Sequence, residues 1–177
     1  MQKNRVFNSI KALTLAAMLT AISVVIGIIC KNFLNFGNGL FRITFENLPI
    51  ILSGILMGPV VGGFVGVASD LISYILSSQV YPPNLLVTAG AATVGIVSGA
   101  VSRYAVKKRG TKQIVFSAFT AHAIGSVVIK TIGLYQFYGI LVLWRLPLYL
   151  IIATTETIIL CFIFKRQSLK RMFDSIS

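Results

Sequence analysis

The chain has 177 residues, with 16 Lys+Arg against 4 Asp+Glu and a formal net charge of +12. Only 11% of the residues are charged and 56% are hydrophobic, giving a mean hydropathy of +0.88, whereas soluble domains carry about 25% charged residues. That excludes an ordinary soluble domain, and it excludes a nucleic-acid binder, because too few polar residues remain to build a solvated basic surface.

The composition predicts an all-α membrane protein. At about 20 residues per crossing the length holds a bundle of six transmembrane helices in a single domain, 1–177, with no room for a soluble catalytic domain. The first apolar segment runs from about 9 to 30, behind Lys3 and Arg5. It is longer than a signal-peptide core, lacks a small-x-small cleavage site and is followed by further spans, so it reads as a retained helix. Residues 31–42 are a polar, Asn- and Gly-rich loop with aromatics. A short second segment, about 43–57, ends at Gly58-Pro59, a tight turn because proline restricts the residue before it and lacks an amide donor. The third segment, about 60–76, then forms an antiparallel hairpin with the second. Residues 77–84 (SSQVYPPN) are a loop stiffened by two prolines. The fourth segment covers about 85–105 and is followed by Lys107, Lys108 and Arg109; the fifth covers about 114–133 and the sixth about 146–164. Between the last two, LYQFYGILVLW has no ordinary polar turn and reads as a partly buried loop or an extension of either helix.

With a cytoplasmic N-terminus, that side of the bilayer carries twelve basic residues and the other side four: Lys31, Arg42, Lys130 and Arg145. The positive-inside rule therefore places both termini in the cytoplasm of a multi-pass cell-membrane protein. The two cysteines, Cys30 and Cys161, then lie near opposite faces, so no disulfide is expected.

Ionisable residues inside a membrane are costly and point to function. Arg42 opens the second segment, with Glu46 one turn deeper and Pro49 and Ser53 on a similar face. Asp70 and Tyr74 share a face of the third segment. Lys130 lies near the outer end of the fifth, with Ser126 and His122 one and two turns below. Arg145, Tyr149, Ile152 and Glu156 form one helical stripe on the sixth. The charge thus gathers in the outer half of the bundle, where a site open to the exterior belongs. Each position also has a structural reading: Arg42 and Glu46 neutralising each other, Asp70 pairing with a neighbouring helix, His122 as a hydrogen-bonded core residue, Arg145 anchoring at the interface beside Trp144. Small residues recur every four positions at Gly54, Gly58, Gly62 and Gly66, and at Ala91, Gly95 and Gly99, a pattern that packs helices closely. There is no phosphate-binding G-x-x-x-x-G-K-[ST], no H-E-x-x-H, no G-x-S-x-G and no metal-ligand spacing. Catalytic and metal residues are therefore expected to be none.

The run RITFENLPIILSGILMGPVVGGFVGVASDLISY, residues 42–74, resembles the substrate-binding S components of energy-coupling factor (ECF) vitamin transporters, most of all the folate-specific ones. That family has a similar Arg-Ile-x-Phe-x-x-Leu-Pro, then Gly-x-x-x-Gly-Pro, then Gly-x-x-x-Asp. Tyr81-Pro82-Pro83 and the Ala/Gly-rich fourth segment extend the likeness, and Ala17 and Ala21 match the Ala-x-x-x-Ala by which such subunits dock on their coupling subunit. Two stretches depart from it: Pro83-Asn84 stands where Pro-Gly is expected, and Ile129–Gly133 differs from the Asn-Thr-Leu-Trp-like run of many folate members. The resemblance implies a subunit that binds a vitamin from outside and works with a membrane coupling subunit and two ATPase subunits. This chain itself would hold no cofactor, ATP being used by the partner ATPases. For folate, Arg42, Lys130, Arg145 and Lys31 are available to the glutamate carboxylates, Arg being suited to a bidentate grip. A carboxylate can accept the paired donors of the pterin edge; Glu46, Asp70 and Glu156 are available, Glu46 being preferred, with Asn47 or Asn84 assisting. Phe41, Tyr74, Tyr81, Trp144 and Tyr149 are candidates to stack on the rings. An S component for another vitamin or precursor, and a stand-alone small transporter, remain alternatives.

Overall fold

The computed structural model describes residues 10–36, 41–77, 84–105 and 110–165, with the backbone alone at Phe36, Phe41 and Arg42. The expectations for Tyr81, Pro82 and Pro83, for Lys107 to Arg109, and for the side chains of Phe41 and Arg42 lie outside the described residues.

Helix α1 (Ile10–Phe33) has no proline, and its two threonine hydroxyls are absorbed locally: Thr14 and Thr20 donate to the carbonyls of Ile10 and Ala16, each at 2.9 Å. That back-bonding lets polar side chains sit on an apolar helix without an unmet donor. α1 runs three residues into the stretch expected to be a loop. Beyond it, β1 (Asn35–Phe36) pairs antiparallel with β2 (Phe41–Arg42), a two-residue ladder that the all-α expectation did not include.

Helix α2 (Asn47–Met57) starts four residues later than the hydrophobic pattern predicts. The amides ahead of it are committed elsewhere: Ile43 N–H donates to the Leu34 carbonyl at 3.1 Å and Glu46 N–H to Thr44 Oγ1 at 3.3 Å. Arg42 and Glu46 are therefore not one helical turn apart. Nine of the eleven α2 residues are buried, so this short helix is the centre of the bundle rather than part of its outer wall. It ends at Gly58, whose φ of +97° favours glycine. Pro59 then opens α3 (Pro59–Leu76) at the position where its missing N–H costs nothing. Arg103 closes the corner, its Nη2 donating to the last α2 carbonyl, Met57 O, at 3.0 Å.

Helix α4 (Leu85–Ala100), continued by a π-helical turn at Val101–Ala105, lies against α2 and α3 along the small-residue strips. A β-carbon at Gly62 would sit 2.6 Å from the Gly95 carbonyl oxygen; the backbones are too close for any side chain.

The run Thr111–Lys165 is helical almost throughout. It comprises α5 (Thr111–Ala121), a π-helix His122–Ile129, α6 (Lys130–Tyr138), a 3-10 helix Gly139–Arg145 and α7 (Leu146–Lys165). The fifth segment does not stop at Gly133. That glycine is used instead for close packing, a β-carbon there falling 2.9 Å from Leu86 Cβ. The chain reverses at Gly139, which has φ +56°, and brings α7 back against α5.

Four helical runs, Ile10–Phe33, Pro59–Leu76, Leu85–Ala105 and Thr111–Lys165, are long and apolar enough to cross a membrane by length and composition. Large apolar side chains, among them Leu13, Phe64, Ile75, Phe116 and Phe162, cover their outer faces, as a lipid-facing surface requires. Inside, Ile50, Ile51, Ile55, Val94, Ala118 and Leu160 form an apolar core, and a polar cluster occupies the region around the α2 N-terminus. Both cysteines are free.

Candidate functional site

The polar cluster is built around the start of α2. Glu46 immediately precedes the helix, where its negative charge faces the positive end of the helix dipole. Ser23 of α1 donates to the Glu46 carbonyl at 2.7 Å. Gly27 of α1 keeps the approach open: a β-carbon there would lie 3.0 Å from Glu46 Oε2 and 3.3 Å from Ser73 Oγ. Lys130, the first residue of α6, reaches in from the other side. Its Nζ donates to Asn47 Oδ1 at 3.1 Å and lies 3.4 Å from Glu46 Oε1. The lysine stem passes over Gly90, where a β-carbon would come within 2.6 Å of Lys130 Cγ.

The π-helix His122–Ile129 delivers Lys130 to this point. A π-turn carries one more residue than an α-turn, so the residues after it are rotated relative to a regular helix; such segments are frequent at functional sites. The same segment presents a second buried pair. His122 Nε2 is 2.7 Å from Glu156 Oε2 on α7, close, yet off the alignment of a good hydrogen bond. His122 Nδ1 faces Ser126 Oγ at 3.4 Å. Glu156 is 0% exposed, and both Lys130 and Glu46 lie within electrostatic reach of it. One turn below the start of α7, Tyr149 is buried, with the Arg145 guanidinium 5.5 Å from its ring centroid; Arg145 is itself 5% exposed.

The structure therefore brings Glu46, Asn47, Lys130, Arg145 and Tyr149 into the interior from three stretches of sequence, 46–47, 130 and 145–149. Ser23, Glu46, Asp70 and Ser73 line a crevice in the same region, so narrow that a water-sized sphere does not enter it. Other predicted site residues hold the frame. Lys31 Nζ lies 3.3 Å from Ser73 O and 3.2 Å from Ser77 Oγ, tying the end of α1 to the end of α3. Asp70 Oδ2 accepts from Thr88 Oγ1 at 2.6 Å. Asn84 caps α4, accepting from Leu86 N–H at 2.9 Å and donating to Gly133 O at 2.6 Å. Tyr74 is half-buried. Trp144 is 70% exposed and sits on the outside of the 3-10 turn, away from the cluster; the spacing that directs Arg145 and Tyr149 inward turns its indole out. Ala17 and Ala21 both face outward on α1, Ala17 on the wall of an apolar groove of about 330 Å³ between α1 and α3.

The His122–Glu156 pair was not readable from the sequence. His122 and Ser126 stand four residues apart and Glu156 lies on the α7 stripe, but nothing in the spacing joins positions 34 residues apart. Among the described residues no group of three or more His, Cys, Asp or Glu residues is arranged to hold a metal ion.

A family model described as the substrate-specific component of ECF transporters matches residues 11–173. No curated protein matches the chain. Among solved structures, one described as FolT bound with folic acid has a similar fold, with a TM-score of 0.65 and 20% identity over 85% of this chain and 90% of that one.

Proposed function

The chain belongs to the substrate-specific components of ECF transporters, membrane subunits that bind a substrate and are not enzymes, and we propose that it binds folate from outside the cell and delivers it inward. The observation that carries this reading is a buried guanidinium over a buried ring, with a second buried cation at the α2 N-terminus. Arg145 lies over Tyr149, and Lys130 stands at the α2 N-terminus. Cations placed there serve a ligand with carboxylates, and a guanidinium over an aromatic ring forms a platform for a flat conjugated one. The likeness of the fold to FolT bound with folic acid agrees with that choice.

In this reading the bundle crosses the membrane six times, through α1, α2, α3, α4, the α5–α6 run and α7, with both termini cytoplasmic as the basic residues require. Arg145, Lys130, Tyr149, Glu46 and Asn47 form the core of the ligand site. Tyr74 stands at its outer rim. The outward strip at Ala17 and Ala21 docks on a membrane coupling subunit, whose two ATPase partners use ATP, and this chain needs no cofactor of its own.

The test is folate uptake in cells without their own folate import. Co-expression of this chain with a coupling subunit and both ATPases should give uptake that stops when either ATPase is inactivated. Uptake supported by this chain alone would overturn the reading in favour of a stand-alone transporter.

A further inference from the structure

The inside of the bundle holds one acid that the cluster around Lys130 leaves unused. Glu156 is fully buried at mid-length of α7, and neither of its carboxylate oxygens has a well-aligned hydrogen-bond partner among the described residues. Its Oε2 faces His122 Nε2 at 2.7 Å. That approach is close but off the alignment of a good hydrogen bond, and on the other side of the ring Nδ1 faces Ser126 Oγ at 3.4 Å. The histidine thus stands beside the carboxylate and sets its position while leaving both oxygens able to accept. Buried acceptors without donors are rare and call for a reason, and within an apolar bundle an acid carries a cost that structure alone does not recover. Ser69 Oγ, on the wall of the crevice beside Glu46 and Asp70, is among the other buried polar atoms without a hydrogen-bond partner among the described residues.

Glu46, by contrast, is already committed. Lys130 lies against its carboxylate and Ser23 against its carbonyl. A ligand donor arriving there would compete with an ammonium for the same oxygen. Arg145, immediately before α7, and Tyr149 and Glu156 on it are all buried, and Glu156 lies eleven positions after Arg145, about 16 Å at 1.5 Å per residue. The stripe therefore offers a cation at its outer end, a ring in between and a carboxylate without a well-aligned donor at its inner end.

We infer that Glu156, positioned by His122, is the specificity-determining acceptor of the site: it receives the paired N–H donors at the inner end of an elongated ligand whose carboxylates are held at Arg145. This rests on the folate reading and assigns the pterin edge to Glu156 in place of Glu46. The ligand lies along α7, with its glutamate outward and its pterin at mid-membrane. His122 is a positioning residue and touches no ligand.

The experiment is equilibrium binding to the purified full chain in detergent, using two probes: folate, and 4-aminobenzoyl-L-glutamate, which has the same tail and no pterin. Glu156→Gln puts an amide donor or a weaker acceptor opposite the pterin donors. It should lower folate affinity roughly 30-fold or more, the scale of one charged hydrogen bond, and leave the fragment within about threefold of wild type. His122→Ala should weaken folate selectively, and His122→Gln, which retains a donor, should recover part of that loss. Equal weakening of both probes, or unchanged folate binding by Glu156→Gln, overturns the assignment and leaves the folate reading intact. If wild-type chain binds neither probe, the folate reading falls and the assignment with it. Should Glu156→Gln not fold, wild-type chain decides with 2-desamino folate, which lacks the exocyclic amino donor: affinity equal to that of folate overturns the assignment, and roughly tenfold weaker binding supports it.

Discussion

Lys130 holds two α2-terminal groups at once, and its own stem is seated over a glycine, so its removal has two separable effects. Lys130→Met removes the ammonium that lies 3.4 Å from the buried Glu46 carboxylate. Breaking a buried pair from one side costs about 3 kcal/mol or more, so the thermal unfolding midpoint in detergent should fall clearly. The double variant Glu46→Gln, Lys130→Met should recover much of that loss, because no charge is then stranded. A single variant that unfolds with wild type would show that the 3.4 Å pair contributes nothing. Arg145 tests recognition rather than stability. Arg145→Lys keeps the charge but loses the planar fork and much of the contact with Tyr149, so folate affinity should drop about tenfold or more while the unfolding midpoint changes little. Unchanged affinity would mean that Arg145 acts only as a point charge. At this scale the sequence was half legible. Ionisable residues in an apolar chain announce themselves by type, and so Glu46, Lys130 and Arg145 could be singled out. Their partners could not, because Glu46 meets Lys130 across 84 residues, and a pair expected from local spacing, Arg42 with Glu46, depended on a helix that in fact starts after Glu46.

The elements are held by close approach of backbones. Gly62, Gly66 and Gly95 leave no space for a β-carbon between α3 and α4, so Gly62→Val must push the helices apart. Overpacking of this kind costs about 1–3 kcal/mol, and the variant should unfold at a lower temperature and bind folate less well. Retention of both would contradict the packing. The α1 strip is independent of this. Replacing Ala17 and Ala21 with Leu changes only an outward face, and should abolish co-purification with the coupling subunit while folate binding by the isolated chain is retained; loss of binding would mean that the strip supports the fold. The hairpin at Gly58-Pro59 and the glycine strips were plain in the sequence because turn and close-packing residues carry their geometry with them. The π-helix was not. Its residues, HAIGSVVI, have the composition of any apolar span, and the extra residue per turn is imposed by packing against α4 and α7.

At the scale of the whole molecule, the bundle separates an apolar core from a polar cluster at the start of α2, and the charge count predicts cytoplasmic termini. With Cys30 and Cys161 replaced by serine, a single cysteine at Lys3 or Lys107 should react with a membrane-impermeant thiol reagent only after the cells are opened, and one at Asn38 should react in intact cells. The reverse pattern would invert the topology and place the cluster on the inner side. Composition made the membrane class legible from the start, since a chain with this hydropathy has no other way to cover its surface. The crevice was not legible, because its shape depends on which atoms of four helices meet. The most direct test of a folate-binding subunit is a calorimetric titration of the purified wild-type chain with folate, alongside other vitamins. Saturable one-to-one binding of folate, in preference to the others, is the expected result. Tight binding of a vitamin without carboxylates, with none of folate, would contradict it.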